Sequence, residues 1–179
     1  MSKIGKINIT IPEKVKVLLS GNNINIEGPQ GKKTLNIDLN IFDLNINDGK
    51  EVTIKPKKID QNTKRLWGMN RSLLNNAIIG ASKGYEKILE LSGVGFRATL
   101  KGKQLNLQLG FSHDVNFNIP EGIKITVEKQ TTIKLTGFDK QQVGMIASQI
   151  KSIRPPEPYK GKGIKEQGQY ILRKEGKKK

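Results

Sequence analysis

The segment from Arg154 to Lys165 carries the residue types that most clearly indicate a chemical role. Its lysines Lys160, Lys162 and Lys165 alternate with glycines and follow an aromatic ring, Tyr159. Lysine and arginine neutralise phosphates, and a tyrosine ring stacks on a sugar or a base. The segment therefore predicts contact with a phosphate-bearing polymer. The alternative is a solvated tail that serves only solubility.

The glycines of this segment do not indicate a nucleotide-hydrolysing site. Gly161 and Gly163 belong to a Lys-Gly-Lys-Gly run that lacks the spacing and the strand-to-helix context of a phosphate loop. We expect these two glycines to let the backbone approach a partner closely. Arg173 and Lys174 lie in a basic run near the end of the chain and add phosphate contacts. Arg97, beside the turn of an expected hairpin, is a further candidate contact.

Residues suited to enzymatic chemistry are scarce. The chain has no cysteine and one histidine, His113, so thiol nucleophiles and metal sites built from several imidazoles or thiolates are excluded. Ser112 and Asp114 flank this histidine, but successive residues of a strand point to alternating faces and cannot form a hydrolase relay. Gly93–Gly95 is interpreted as a turn or bulge rather than a dinucleotide loop. We expect no enzyme activity, no metal site and no cofactor.

The charge of the chain favours a polyanionic partner. Its 179 residues include 32 Lys or Arg and 16 Asp or Glu, which gives a net charge of +16. Ten basic and three acidic residues lie between positions 151 and 179, so nearly half of that charge belongs to the last sixth of the chain. No apolar stretch approaches the roughly 18 residues of a membrane span, and we expect a cytoplasmic location without membrane contact.

The apolar pattern predicts two sheet-and-helix units. Apolar residues alternate at period two up to Ile54, which is typical of half-buried strands, and then recur at three and four between Asp60 and Gly84, as in an amphipathic helix. The same order of patterns follows from Leu89 to Ile150. We predict an α+β fold of two tandem, duplicated domains, each an antiparallel-rich β-sheet covered by an α-helix. The predicted limits are 1–82 and 83–152, followed by a basic extended tail, 153–179.

Short sequence motifs that occur twice support an internal duplication. Ile11–Glu13 reads Ile-Pro-Glu, as does Ile119–Glu121, and a Gly-Met pair occurs in both expected helices, at Gly68–Met69 and Gly144–Met145. Chance similarity between two β-rich segments is the alternative. The tail has few apolar residues and no period, so we expect it to become ordered only against a partner.

Several longer motifs occur in an order that resembles one protein family. They are Met1–Lys6, Gly28–Gly31, Gly93–Ala98, Leu109–His113, Asp139–Gly144 and Pro155–Ile164. Together they cover nearly the whole chain and are similar to the bacterial-type large-subunit ribosomal proteins of the L-six family. The chain departs from that pattern at Asp114, where the family commonly has proline, and at Glu166, where it commonly has an aromatic residue.

The resemblance implies a structural component of the large ribosomal subunit. Such a protein binds large-subunit (23S-type) rRNA mainly through its second domain and tail, near the stalk base and the sarcin-ricin loop. Neighbouring large-subunit ribosomal proteins would be partners, and elongation factors would dock nearby. The alternative is a stand-alone RNA-binding regulatory protein. The expected rRNA contacts are Arg154, Tyr159, Lys160, Gly161, Lys162, Gly163, Lys165, Arg173, Lys174 and Arg97.

Overall fold

The computed structural model describes residues 3–47 and 49–176, which divide into two compact units. The first unit comprises Met1–Gly84 with Phe138–Lys140, and the second comprises Tyr85–Gly137 with Gln141–Lys179. Each unit has its own hydrophobic core. The domain limits expected from the sequence remain a prediction.

The first unit contains, over its described residues, six strands and one helix. Its elements are β1 (Ile9–Thr10), β2 (Lys16–Ser20), β3 (Asn23–Gly28), β4 (Gly31–Asn36), β5 (Phe42–Asn47), β6 (Glu51–Pro56) and α1 (Gln61–Ser82). The strands pair antiparallel in two sheets, ordered β1-β6-β5 and β2-β3-β4. Gly21 connects β2 to β3 at a φ of +57°, a backbone conformation that glycine adopts without steric cost.

The core of the first unit follows from the two periods in its sequence. The alternating residues Ile24 and Ile26 of β3 and Ile54 of β6 are buried, as are Leu74 and Ile78 one helical turn apart on α1. Burial of each such side chain stabilises the unit by roughly 1.5–3 kcal/mol before the entropic cost of ordering the chain is subtracted. The predicted amphipathic helix therefore covers sheet residues as expected.

The second unit repeats this architecture. Its elements are β7 (Tyr85–Ser92), β8 (Arg97–Lys101), β9 (Gln104–Gln108), β10 (Val115–Asn118), β11 (Ile123–Glu128), β12 (Thr132–Gly137), α2 (Lys140–Ile153) and β13 (Gly163–Glu166). All pairing is again antiparallel, in the orders β10-β9-β8 and β11-β12-β7-β13. The buried face of α2 presents Val143, Ile146, Ala147 and Ile150 to this core.

The two units match strand for strand except for β13, which has no counterpart among the described residues of the first unit; the match confirms the predicted α+β class and agrees with a duplication. In each, a first strand is followed by a three-stranded meander, a hairpin and a helix, and the first strand pairs with the second strand of the hairpin. The Gly-Met pairs lie in equivalent helices. The Ile-Pro-Glu repeats do not lie at equivalent places, because Ile11–Glu13 leads into a meander strand and Ile119–Glu121 leads into a hairpin strand.

The tail departs from the sequence-based expectation. Gly163–Glu166 forms the edge strand β13, which pairs antiparallel with β7 so that Ile164 lies opposite Leu91. The Ile164 side chain is fully buried in the second core. The expectation that this segment becomes ordered only against a partner is therefore wrong for β13, because one apolar side chain and a ladder of backbone hydrogen bonds attach it to its own unit.

Candidate RNA-binding surface

The surface begins where α2 ends. The helix stops at Ile153, and Pro155 and Pro156 cannot continue its hydrogen bonding. Arg154 is exposed, and its guanidinium carbon lies 5.0 Å from the centroid of the Phe111 ring, which is a cation–π distance. The ring of His113 stacks beside Phe111, with centroids 6.5 Å apart and planes inclined by 25°. The end of α2 and the loop between β9 and β10 therefore meet at one place.

A tight turn carries the next candidate residues. The Glu157 N–H donates to the Lys162 carbonyl at 2.8 Å, and the Gly161 N–H donates to the Glu157 carbonyl at 3.0 Å. Gly161 adopts a φ of +72°, which only glycine adopts readily. The turn leaves Tyr159 about half exposed and Lys160 and Lys162 exposed. Internal hydrogen bonds thus fix a turn whose ring and cations face solvent.

The backbone structure itself requires a glycine at position 163. Its φ is +142°, and a Cβ at this position would lie 2.6 Å from the Pro155 carbonyl oxygen. Gly161 and Gly163 are both buried. The close backbone approach expected of Gly163 is therefore made to Pro155 and Pro156 of the same chain, and contact of either glycine with RNA stays a prediction.

Lys165 and Glu166 belong to an ion-pair cluster on the sheet. Lys165 Nζ lies 3.0 Å from the Glu90 carboxylate. Glu166 lies between Lys87 and Lys151, with Nζ–carboxylate distances of 2.9 and 3.1 Å. Hydrogen bonds from these two lysines lower the pKa of Glu166 below its ordinary value. The structure thus places Lys165 beside a carboxylate, in an environment that differs from that of the other candidate cations of the tail.

The remaining candidates are exposed. The Lys174 N–H donates to the Pro158 carbonyl at 2.9 Å, so the chain returns to the turn after β13, and the Arg173 guanidinium lies near Gly161. Arg97 is the exposed first residue of β8 and pairs in register with Gln108. Arg173 and Lys174 therefore join the turn, while Arg97 lies at the start of the meander.

A shallow cavity of about 460 Å³ brings together the turn between β7 and β8 and the tail. Its lining consists of Val94, Phe96, Arg154, Pro155, Glu157 and Lys162. Val94 is 95% exposed at the tip of its turn, which is a large exposure for an aliphatic residue. Sequence reasoning missed Val94, Phe111 and His113 as members of this surface, although an aliphatic residue between two turn-forming glycines is a signal of exposure.

The two enzyme-like motifs both lie in loops, so the expectation that Ser112, His113 and Asp114 are successive residues of a strand is wrong. Gly93–Gly95 forms a turn that leads into strand β8 and not into a helix. The Asp114 carboxylate accepts a hydrogen bond from Gln108 Nε2 at 3.2 Å, while the His113 ring faces Phe111. Among the residues that the structure describes, no group of three His, Cys, Asp or Glu side chains could hold a metal ion. Neither helix in the described part of the chain is long and apolar enough to cross a membrane.

Comparison with known proteins identifies the family. The family model described as Ribosomal protein L6 matches residues 92–167. Over 179 residues, which is the full length of both chains in each case, the sequence is 46% identical to the proteins named Large ribosomal subunit protein uL6 of Sphingopyxis alaskensis, Beijerinckia indica and Novosphingobium aromaticivorans. The chain belongs to the ribosomal protein L6 family.

Family membership confirms two predictions made from the sequence. The resemblance carried by the ordered motifs is correct, and it extends over the full length of the relatives. The family is one of ribosomal proteins and not of enzymes, in agreement with the expected lack of catalytic residues. The matched family region, 92–167, includes Val94, Arg154 and β13, so most of the candidate surface lies within it.

Proposed function

We propose that the chain is a structural component of the large ribosomal subunit that binds large-subunit rRNA near the stalk base and the factor-binding region. Full-length similarity to proteins named as large ribosomal subunit proteins supports the assembly. The net charge of +16 supports a nucleic-acid partner. Neighbouring ribosomal proteins at the stalk base are further proposed partners, and the location is the cytoplasmic ribosome.

The observation that carries RNA binding is the separation of paired from unpaired cations in the second unit. Four lysines on the sheet and α2 lie within 3.1 Å of glutamates: Lys87, Lys134, Lys151 and Lys165. By contrast, Lys160, Lys162 and Arg173 form no ion pair with any residue that the structure describes. Phosphate contact by these three residues therefore requires no existing pair to be broken.

The turn is suited to phosphate contact because it is already ordered. Its internal hydrogen bonds hold Lys160 and Lys162 on a fixed backbone, so less conformational entropy is lost on binding. The Phe111 ring restricts the Arg154 side chain while leaving it exposed. Contacts of this kind position a protein on RNA without reading its sequence, and the exposed Tyr159 ring adds a surface on which a base or sugar can stack.

A salt titration tests this surface. Replacing Lys160 and Lys162 together by alanine should weaken binding to large-subunit rRNA and reduce the slope of log K against log salt by roughly 1–2, at about 0.7–0.9 per phosphate contact. The matched control is Lys101→Ala with Lys103→Ala, which removes the same charge from the exposed end of β8 and the turn that follows it. An unchanged slope in the first variant, or an equal change in both, would exclude the turn as the phosphate-binding element.

Sedimentation tests the assembly itself. Native lysate is separated on density gradients at low and high monovalent salt, and this chain is followed by immunoblot. Co-migration with the large subunit at high salt is the expected result. Release as a free protein of about 20 kDa at modest salt, against its mass of 19.9 kDa, would instead support a stand-alone regulatory RNA-binding protein.

A further inference from the structure

A cavity of about 440 Å³ opens on the first unit, and none of its lining residues is among those assigned above to RNA binding. It lies between the segment 5–8, the second half of β6 and the start of α1, and all its lining residues belong to that unit. The lining includes Ile7, Ile54, Ile59, Pro56 and Trp67. Its volume is within the range of pockets that bind ligands and side chains in other proteins.

The cavity exists because the ladder between β1 and β6 stops early. β1 pairs only with Glu51 and Val52, and continuing that register would place Ile7 opposite Ile54. Instead the Ile54 carbonyl accepts the Trp67 indole N–H at 2.7 Å, and the Ile7 carbonyl accepts Arg71 Nε at 3.2 Å. Side chains of α1 thus bond to the two carbonyls, and the segment that would extend β1 leaves the edge of β6.

The cavity combines apolar walls with a basic rim. Ile7 and Ile59 are 56% and 61% exposed at its opening, a large exposure for isoleucine. The exposed lysines Lys6, Lys55 and Lys64 also line it, and none of them pairs with a carboxylate of the described chain. No acidic residue is present among its described lining residues. An occupant that complements it is apolar at its centre and negatively charged at its edges.

We propose that this pocket binds an acidic segment of a partner protein, which inserts one aliphatic side chain between Ile7 and Ile59 and places flanking carboxylates against the three lysines. A protein segment is favoured over RNA by the state of Trp67. Gly5 packs so closely on the indole that a Cβ there would lie 2.5 Å from the ring, and the indole N–H already bonds to Ile54. Recognition of single-stranded RNA depends on the stacking of bases on aromatic rings. The face of the Trp67 ring is covered, so a base cannot stack on it.

The test uses the full chain and its single tryptophan, which lies in the pocket. The probe is a capped pentapeptide of one leucine flanked on each side by two acidic residues, and Trp67 fluorescence is the readout. A saturable change is expected. The same peptide with alanine in place of leucine should bind at least about ten-fold more weakly, because burial of a leucine side chain is worth at least the 1.4 kcal/mol that corresponds to ten-fold.

Charge reversal locates the binding. Lys55→Glu with Lys64→Glu should weaken peptide binding at least about ten-fold, whereas Lys14→Glu with Lys16→Glu, which changes the same charge in the same unit outside the pocket, should not. All four side chains are exposed, so both variants should remain folded by circular dichroism. Ile59→Ser, which changes an exposed apolar wall without changing charge, should weaken binding of the leucine peptide but not of the alanine peptide.

Three results would overturn the proposal. One is the lack of a saturable fluorescence change up to millimolar peptide. Another is an equal loss in the two charge-reversal variants, which would indicate non-specific attraction. The third is tighter saturable binding of a single-stranded RNA pentanucleotide than of the peptide at the same site, which would make the pocket an RNA contact. Each result is independent of the tail variants that test rRNA binding.

Discussion

The placement of β13 predicts that replacing Ile164 by alanine destabilises the second unit. The side chain is fully buried, and its strand pairs with β7, the neighbour of β12 in the centre of the sheet. Truncation of a buried isoleucine to alanine costs about 2–5 kcal/mol, depending on how far the surroundings relax. Because β13 is an edge strand, we expect a value near 2 kcal/mol, at the lower end of that range.

Urea unfolding of the purified chain measures this loss. With a slope of about 1–2 kcal/mol per molar urea, a loss of 2 kcal/mol lowers the midpoint of the second unit by about 1–2 M. Hydrogen exchange of peptides covering Tyr85–Ser92 assigns the change to β7, whose pairing with β13 is lost when the tail opens. The single tryptophan lies in the first unit and therefore provides a separate signal for that unit.

Leu172→Ala is the matched control. Leu172 lies in the same tail after β13 and is 72% exposed, so its truncation should change stability by less than about 0.5 kcal/mol. If Ile164→Ala has an effect as small as that of Leu172→Ala, and exchange in β7 is unaltered, then β13 is not attached in the free protein. The tail would then become ordered only against a partner, as the sequence alone led us to expect.

Three further predictions concern the same region. The lowered pKa of Glu166 means that its two ion pairs stabilise the fold above its ordinary pKa of 4.5, and that this contribution is lost as the pH falls through the lowered value. Glu166→Gln should therefore cost about 0.5–1 kcal/mol in urea unfolding at pH 7, and less at pH 3. Gly163→Ala should lower the Tm by at least about 4 °C, since its Cβ would collide with the Pro155 carbonyl and cost about 1 kcal/mol or more. Lys165→Ala should change the salt slope of rRNA binding less than Lys162→Ala, because Lys165 already has a glutamate partner.

Local periodicity was sufficient to predict most of the fold. The change from period two to a period of three and four placed a helix between Asp60 and Gly84, and the structure has it at Gln61–Ser82. The second helix was predicted from the same signal. Such patterns depend on neighbours in sequence, so they predict which face of an element is buried but not which sheet a strand joins. The division of each unit into two sheets therefore required the structure.

Contacts between segments that are distant in the chain could not be predicted from the sequence. The burial of Ile164 depends on pairing with Leu91, 73 positions earlier, and no local period marks it. The gap beside β6 arises because the indole of Trp67 bonds to Ile54, an arrangement that neither residue indicates alone. For the same reason, the meeting of Phe111 with Arg154 was not predicted, although both residues lie in motifs that were noticed.

The net charge alone overstates how many basic residues of this protein are available to contact RNA. Lys162 and Lys165 look equivalent in the sequence, because both lie in one basic run and each follows an uncharged residue, a glycine before Lys162 and an isoleucine before Lys165. The strand β13 separates them: Lys165 lies within the ladder opposite Glu90 and pairs with it, whereas Lys162 precedes the ladder and stays exposed. A carboxylate 3.0 Å away must be displaced or desolvated before Lys165 can neutralise a phosphate, which offsets part of the gain. The strand that orders the tail thereby also selects which of its cations remain available for phosphate.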